Sequence, residues 1–171
     1  MNSIVLTGFM GTGKSAVGKV LAEKLSFKII DTDAMIEEKA GTSISEIFRT
    51  KGEAVFREYE EKVIEEIAGS RNSVVITGGG AVIKEKNIEN LRKCGKIVCL
   101  KATPEEIYNR VKYETHRPLL QVENPIDRIK ELLNAREEFY KKADFSIDTT
   151  GLKIEEVADK VIETLNLKSS A

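Results

Sequence analysis

The sequence predicts an α/β protein, a parallel sheet covered by helices. Three observations carry that expectation. Short β-branched runs alternate with amphipathic stretches along the chain, the pattern of strands joined by crossover helices. The first run, Ile4-Val5-Leu6, leads directly into Gly8-Phe9-Met10-Gly11-Thr12-Gly13-Lys14-Ser15, a phosphate-binding motif that works only as the turn between a strand and a helix. With 171 residues the chain can bury one hydrophobic core and needs no second, so residues 1–171 are expected to form a single domain.

In chain order, the strand candidates are residues 3–7, 27–30, 73–77, 96–101 and 145–148. A first helix runs from Lys14 to about Leu25, with Val17, Val20, Leu21 and Leu25 on one face. The last helix carries Ile154, Val157, Val161, Ile162 and Leu165 as its core stripe. Between the second and third strands lies a long insertion, residues 33–70, expected to hold two or three helices. Phe56, Tyr59, Val63 and Ile67 form the buried face of the longest. Its first part, about 33–61, is expected to hold a substrate. Residues 112–124 have no periodicity and precede a helix opened by Asn124-Pro125, a cap followed by proline at the first helical position; they read as a mobile lid.

Charge and cysteine usage narrow the function. Net charge is −1 with both signs interspersed, so the broad basic face needed for nucleic acid or an anionic membrane is not expected, and small molecules are the expected partners. Cys94 and Cys99 lack CxxC spacing and a histidine cluster; they read as reduced structural thiols with no metal site. No apolar stretch approaches a membrane span and no cleavable leader is apparent, so a soluble, cytoplasmic protein is expected. There is no internal repeat, and only residues 168–171 are expected to be disordered.

In the phosphate loop, successive N–H groups from Gly11 to Ala16, Thr12 and Gly13 included, face an anion. Lys14 reaches the β- and γ-phosphates, and the Ser15 hydroxyl ligates the Mg²⁺ that travels with the nucleotide. In an open parallel sheet, ligands bind beyond the carboxyl ends of the strands. After the second strand come Asp31 and Asp33, one suited to magnesium and the other to a substrate hydroxyl, unless one merely caps the next helix. After the third come Gly78, Gly79 and Gly80, which allow a ligand close backbone approach or make a plain turn. A third-strand aspartate is missing there, as is N-K-x-D, which argues against a regulatory GTPase. Arg136 falls on the apolar stripe of Ile126, Ile129, Leu133 and Tyr140, so a carboxylate or a bound anion should face it. Arg57 lies one residue off the insertion's stripe, at the cleft edge or in solvent. Arg117 in the lid is placed to close on the phosphates and exclude water, or to be a solvated loop charge.

With residues 8–15, Asp31-Thr32-Asp33, Phe56-Arg57-Glu58, Thr77-Gly78-Gly79-Gly80-Ala81, Arg117-Pro118-Leu119-Leu120 and Arg136 in Ala135–Tyr140, the chain resembles the shikimate kinases along nearly its whole length. That resemblance implies a three-layer α/β/α fold with a five-stranded parallel sheet in order 2-3-1-4-5. It implies transfer of the γ-phosphoryl group of ATP to the 3-hydroxyl of shikimate, a step of aromatic amino-acid biosynthesis. Carried over by position, Asp33 resembles the residue that binds the shikimate hydroxyls, and Asp31 an outer-sphere magnesium partner. Arg57 and Arg136 resemble the carboxylate grip, completed by backbone around Gly79, while Arg117 resembles the lid arginine on the phosphates and Arg110 one that stacks on adenine. The lid segment Lys112-Tyr113-Glu114-Thr115-His116 departs from the small residues of many relatives, and His116 reads as a solvated imidazole. The loop near Thr149-Thr150-Gly151 carries no side-chain role. A kinase for another hydroxy acid and a nucleotide-binding regulatory domain are the rival readings, and a monomer is the default.

Overall fold

Five strands, β1 (Ser3–Thr7), β2 (Lys28–Asp31), β3 (Ser73–Ile76), β4 (Gly95–Lys101) and β5 (Phe145–Asp148), form one parallel sheet in the order β2-β3-β1-β4-β5. They belong to a computed structural model that describes residues 2–114 and 122–167. Alternation along the central strands assigns the layers. Val5, Val75, Ile97 and Cys99 point to one face, where α4 (Glu85–Cys94), α5 (Pro104–Val111), α6 (Pro125–Tyr140) and the end of α3 (Ile44–Ile67) cover them. Ile4, Leu6, Val74, Ile76, Val98, Leu100 and Ile147 point to the other, under α1 (Lys14–Leu25) and α7 (Ile154–Thr164). The expected three-layer α/β/α architecture and strand order are therefore present.

Most departures from the sequence reading sit at element ends. Phe27 N–H donates to Ala22 O at 2.9 Å after a left-handed Ser26, closing α1, so β2 starts at Lys28 and reaches Asp31. Asn124 does stand before Pro125 but its side chain caps nothing; its carbonyl accepts from Arg128 N–H at 3.1 Å. Ile154, expected in the core, is the first residue of α7 and is 42% exposed. The insertion folds as α2 (Thr32–Ala40) and α3, the latter broken at Gly52, whose φ of 80° leaves the helical region. Ile36, Ile47, Phe56 and Val63 give it a small core of its own. Residues 168–171 and 115–121 lie outside the described part, and no described helix is long and apolar enough to cross a membrane.

Register between β1 and β4 depends on one missing side chain. Gly95 pairs with Ser3, and a Cβ built on it would sit 1.8 Å from the Ser3 carbonyl oxygen, a backbone atom held by its neighbours. Gly95→Ala is expected to cost about 2 kcal/mol or more of unfolding free energy by overpacking, measured by urea titration. An unchanged midpoint would show that this end of the ladder is slack.

Candidate active site

Every strand of a parallel sheet ends at the same edge, which brings loops distant in sequence into one crevice. Gly8 at the end of β1 has a φ of 134°, and a Cβ there would lie 2.2 Å from Leu100 O; Gly13, the residue before α1, is left-handed at φ 97°. Neither position suits another residue. Thr12 is buried below the loop, its Oγ1 donating to Phe9 O at 2.8 Å. Lys14 Nζ donates to Gly8 O at 2.7 Å and Phe9 O at 2.9 Å, so the ammonium lies across the loop that it follows. Gly11, Gly13, Lys14, Ser15 and Ala16 line a cavity of about 440 Å³.

The opposite wall of that cavity carries Asp31, Asp33, Arg57, Gly78, Gly79, Gly80 and Arg136. A methyl group at Gly78 would lie 2.9 Å from Asp33 Oδ1, one at Gly79 would lie 3.5 Å from Arg136 Nη1, and one at Gly80 would lie 2.5 Å from Arg57 Nη2. The three glycines thus form a floor on which a carboxylate and two guanidinium groups meet. Asp31 caps α2, its Oδ1 accepting from Asp33 N–H at 3.0 Å and Ala34 N–H at 3.3 Å, which turns the Asp33 side chain into the cavity.

Arg57 is not a solvated surface charge. Its Nη1 donates to Glu60 Oε1 at 2.8 Å and its Nη2 to Glu53 Oε1 at 3.0 Å, leaving further N–H groups for a ligand. Burial alone would weaken its hold on the proton, but the Glu60 and Glu53 carboxylates outweigh that and raise its pKa. Glu60 was missed from the sequence although it shares the stripe of Phe56, Val63 and Ile67, the same signal that singled out Arg136. It is 1% exposed, and burial pushes its pKa above the ordinary carboxylate value against the pull of Arg57, with Asp33 adding to the rise. Its Oε2 has no hydrogen-bond partner among the described residues.

Arg136 is half-buried, with its guanidinium 5.6 Å from the centre of the Phe9 ring and no carboxylate within ion-pair distance among the described residues. Of the two partners that the sequence allowed, a protein carboxylate is therefore not the one found there. Arg110 lies behind the loop: Nη1 donates to Gly11 O at 3.2 Å and to Thr149 Oγ1 at 3.0 Å, and Nη2 to Thr149 O at 3.0 Å, tying the phosphate loop to the end of β5. Arg117 and His116 lie outside the described residues. Cys99 is buried and its thiol is pushed up to about 11 by burial, while the buried Cys94 thiol donates to Ile67 O.

A nucleotide's phosphates and an anionic acceptor can share this cavity, and such an arrangement defines a phosphotransferase of the P-loop kinase class. Comparison with known proteins narrows the class. The family model for shikimate kinase matches residues 10–166. Curated shikimate kinases of Thermodesulfovibrio yellowstonii and Caldanaerobacter subterraneus are 53% and 50% identical over 136 and 137 residues, about four-fifths of either chain. The solved shikimate kinase of Acinetobacter baumannii in complex with shikimate superposes with a TM-score of 0.91 at 36% identity, over 97% of this chain and 93% of that one. That of Bacteroides thetaiotaomicron gives 0.88 at 35%, over 97% and 99%. The chain belongs to the shikimate kinase family.

The fold holds the Glu60 proton more tightly than the unfolded chain, so Glu60 costs stability as pH rises above its unfolded value of about 4.5, until its raised pKa is passed. Glu60→Gln has no such titration. Its melting temperature relative to the parent is expected to climb between pH 4.5 and neutrality, read by calorimetry across that range. A flat or falling difference contradicts the assignment.

Proposed function

We propose that the protein transfers the γ-phosphoryl group of ATP to the 3-hydroxyl of shikimate, giving shikimate 3-phosphate and ADP in aromatic amino-acid biosynthesis. The observation that carries this reading is the meeting of Asp33, Arg57 and Arg136 over Gly78–Gly80, across one cavity from Lys14 and Ser15. Two guanidinium groups suit a carboxylate, and a carboxylate beside them suits a hydroxyl; an acid that carries hydroxyl groups satisfies both.

Phosphoryl transfer asks mainly for alignment and charge neutralisation. In this reading, Arg57 and Arg136 hold the shikimate carboxylate, which leaves the ring one orientation, and Asp33 takes the hydrogen bond of the attacking hydroxyl and its proton as the bond forms. Lys14 swings from the carbonyls of Gly8 and Phe9 to the β- and γ-phosphates. Arg110, hydrogen-bonded to Thr149, is assigned to adenine on the resemblance alone. Arg117 and the 112–124 lid are assigned to the phosphates on the sequence and the resemblance, Arg117 lying outside the described residues. The donor set fits Mg²⁺: a hydroxyl at Ser15 with a carboxylate at Asp31 in the phosphate cavity would suit a cation held mostly by phosphate and water. When bound, it would supply charge neutralisation for the transferring phosphoryl group. In this reading the protein acts as a monomer on small molecules, and the interspersed charge supports no role for nucleic acid.

A coupled assay of ATP consumption against shikimate, gluconate and nucleoside monophosphates is expected to show turnover with shikimate; preference for another acceptor overturns the reading. Arg57→Ala and Arg136→Ala should each raise KM for shikimate about ten- to a hundredfold, with KM for ATP little changed. Equal effects on both substrates contradict the carboxylate assignment. Lys14→Ala is expected to lose about a hundredfold or more in kcat with unfolding behaviour intact, and near-normal turnover sinks the loop's role.

A further inference from the structure

Arg57 has two carboxylates to hold its guanidinium, whereas Arg136 has none among the described residues. A long cationic side chain that must meet a ligand in one geometry loses rotamer freedom on binding unless the protein has already fixed it. What stands around Arg136 is aromatic. Phe9, 1% exposed and part of the phosphate loop, lies under the guanidinium at 5.6 Å. Tyr140, one helical turn further along α6 and 5% exposed, donates its hydroxyl proton to Gly79 O at 2.7 Å. Gly79 is the floor residue closest to Arg136, with Nη1 3.5 Å from the position of its absent Cβ.

We propose that Tyr140 is a positioning residue for the acceptor, its hydroxyl joining the Gly79 carbonyl to the Arg136 guanidinium so that arginine and glycine floor meet the substrate carboxylate as one preset unit, with the Phe9 ring as the backing. The hydroxyl's one proton goes to Gly79 O, which leaves its lone pairs for guanidinium N–H groups. Burial pushes its pKa up to about 12 although Arg136 pulls it down by charge and hydrogen bonding, so Tyr140 remains a donor at any working pH and is no base for the reaction. Phe9 gives the device its link to the donor side, since one ring belongs to the phosphate loop and also backs the acceptor's arginine.

This inference rests on the assignment of Arg136 to the shikimate carboxylate, and its test separates the two. Tyr140→Phe keeps the ring and removes only the hydroxyl. It is expected to raise KM for shikimate about tenfold, leave KM for ATP within about twofold, and show the same loss in direct calorimetric titration with shikimate below its melting temperature. Combined with Arg136→Ala, it is expected to add nothing further to KM for shikimate, the non-additivity of a group that acts through another. Phe9→Leu, a second variant that keeps an apolar side chain, is expected to give the same split. An unchanged KM for shikimate in Tyr140→Phe, an equal rise for both substrates, or a full effect persisting beside Arg136→Ala overturns the inference. If Arg136→Ala itself leaves KM for shikimate unchanged, the carboxylate assignment falls and the inference with it.

Discussion

The acceptor side of this site depends on excluded volume at the carboxyl end of β3. A side chain at residue 78 would crowd Asp33 and Glu60, one at residue 79 would come into contact with Arg136, and at Gly80 the overlap with the Arg57 guanidinium is severe. Only a backbone without side chains lets two cations and two acids from three different elements approach one another this closely. The same strip presents its own polar backbone, and one carbonyl of it, Gly79 O, already has its donor in Tyr140.

Charge balance follows from that geometry. Glu60 spends burial energy to hold Arg57 in place, and Glu53 adds a second contact from the exposed side. Arg136 lies over the Phe9 ring and, among the described residues, meets no acid at ion-pair distance. The two arginines thus differ in kind: one is an ion-paired group with N–H to spare, the other a cation backed by an aromatic ring. On the donor side the loop is rigid for a different reason, because Gly8 and Gly13 adopt backbone angles that other residues avoid, while Arg110 and Thr149 brace its carbonyls from behind.

Legibility in the sequence followed the range of the interaction responsible. α1 was readable to the residue, since a phosphate loop dictates where its helix begins and the 3.6-residue stripe where it continues. The ends of β2 and the capping of α6 were not, because they turn on which carbonyl a single N–H finds after the chain has bent. Asp31 and Asp33 were recognised as a pair, yet which one caps and which one faces the cavity is decided by the rotation of α2 against the sheet. Arg136 stood out because a charge interrupted an apolar stripe. Glu60 interrupted another in the same way, but a helix so rich in glutamate hides one more.

Local chemistry by itself determined the donor half: a loop whose glycines and lysine have one use, a helix that must follow it, and a sheet whose strands must all end on the same side. Tertiary structure alone decided the acceptor half. Arg57, Glu60, Gly79, Arg136 and Tyr140 come from α3, the end of β3 and α6, and their meeting rests on packing of helices against the sheet. Sequence spacing governs contacts within a turn or a strand. Distances between elements are set by the shape of the core that they enclose.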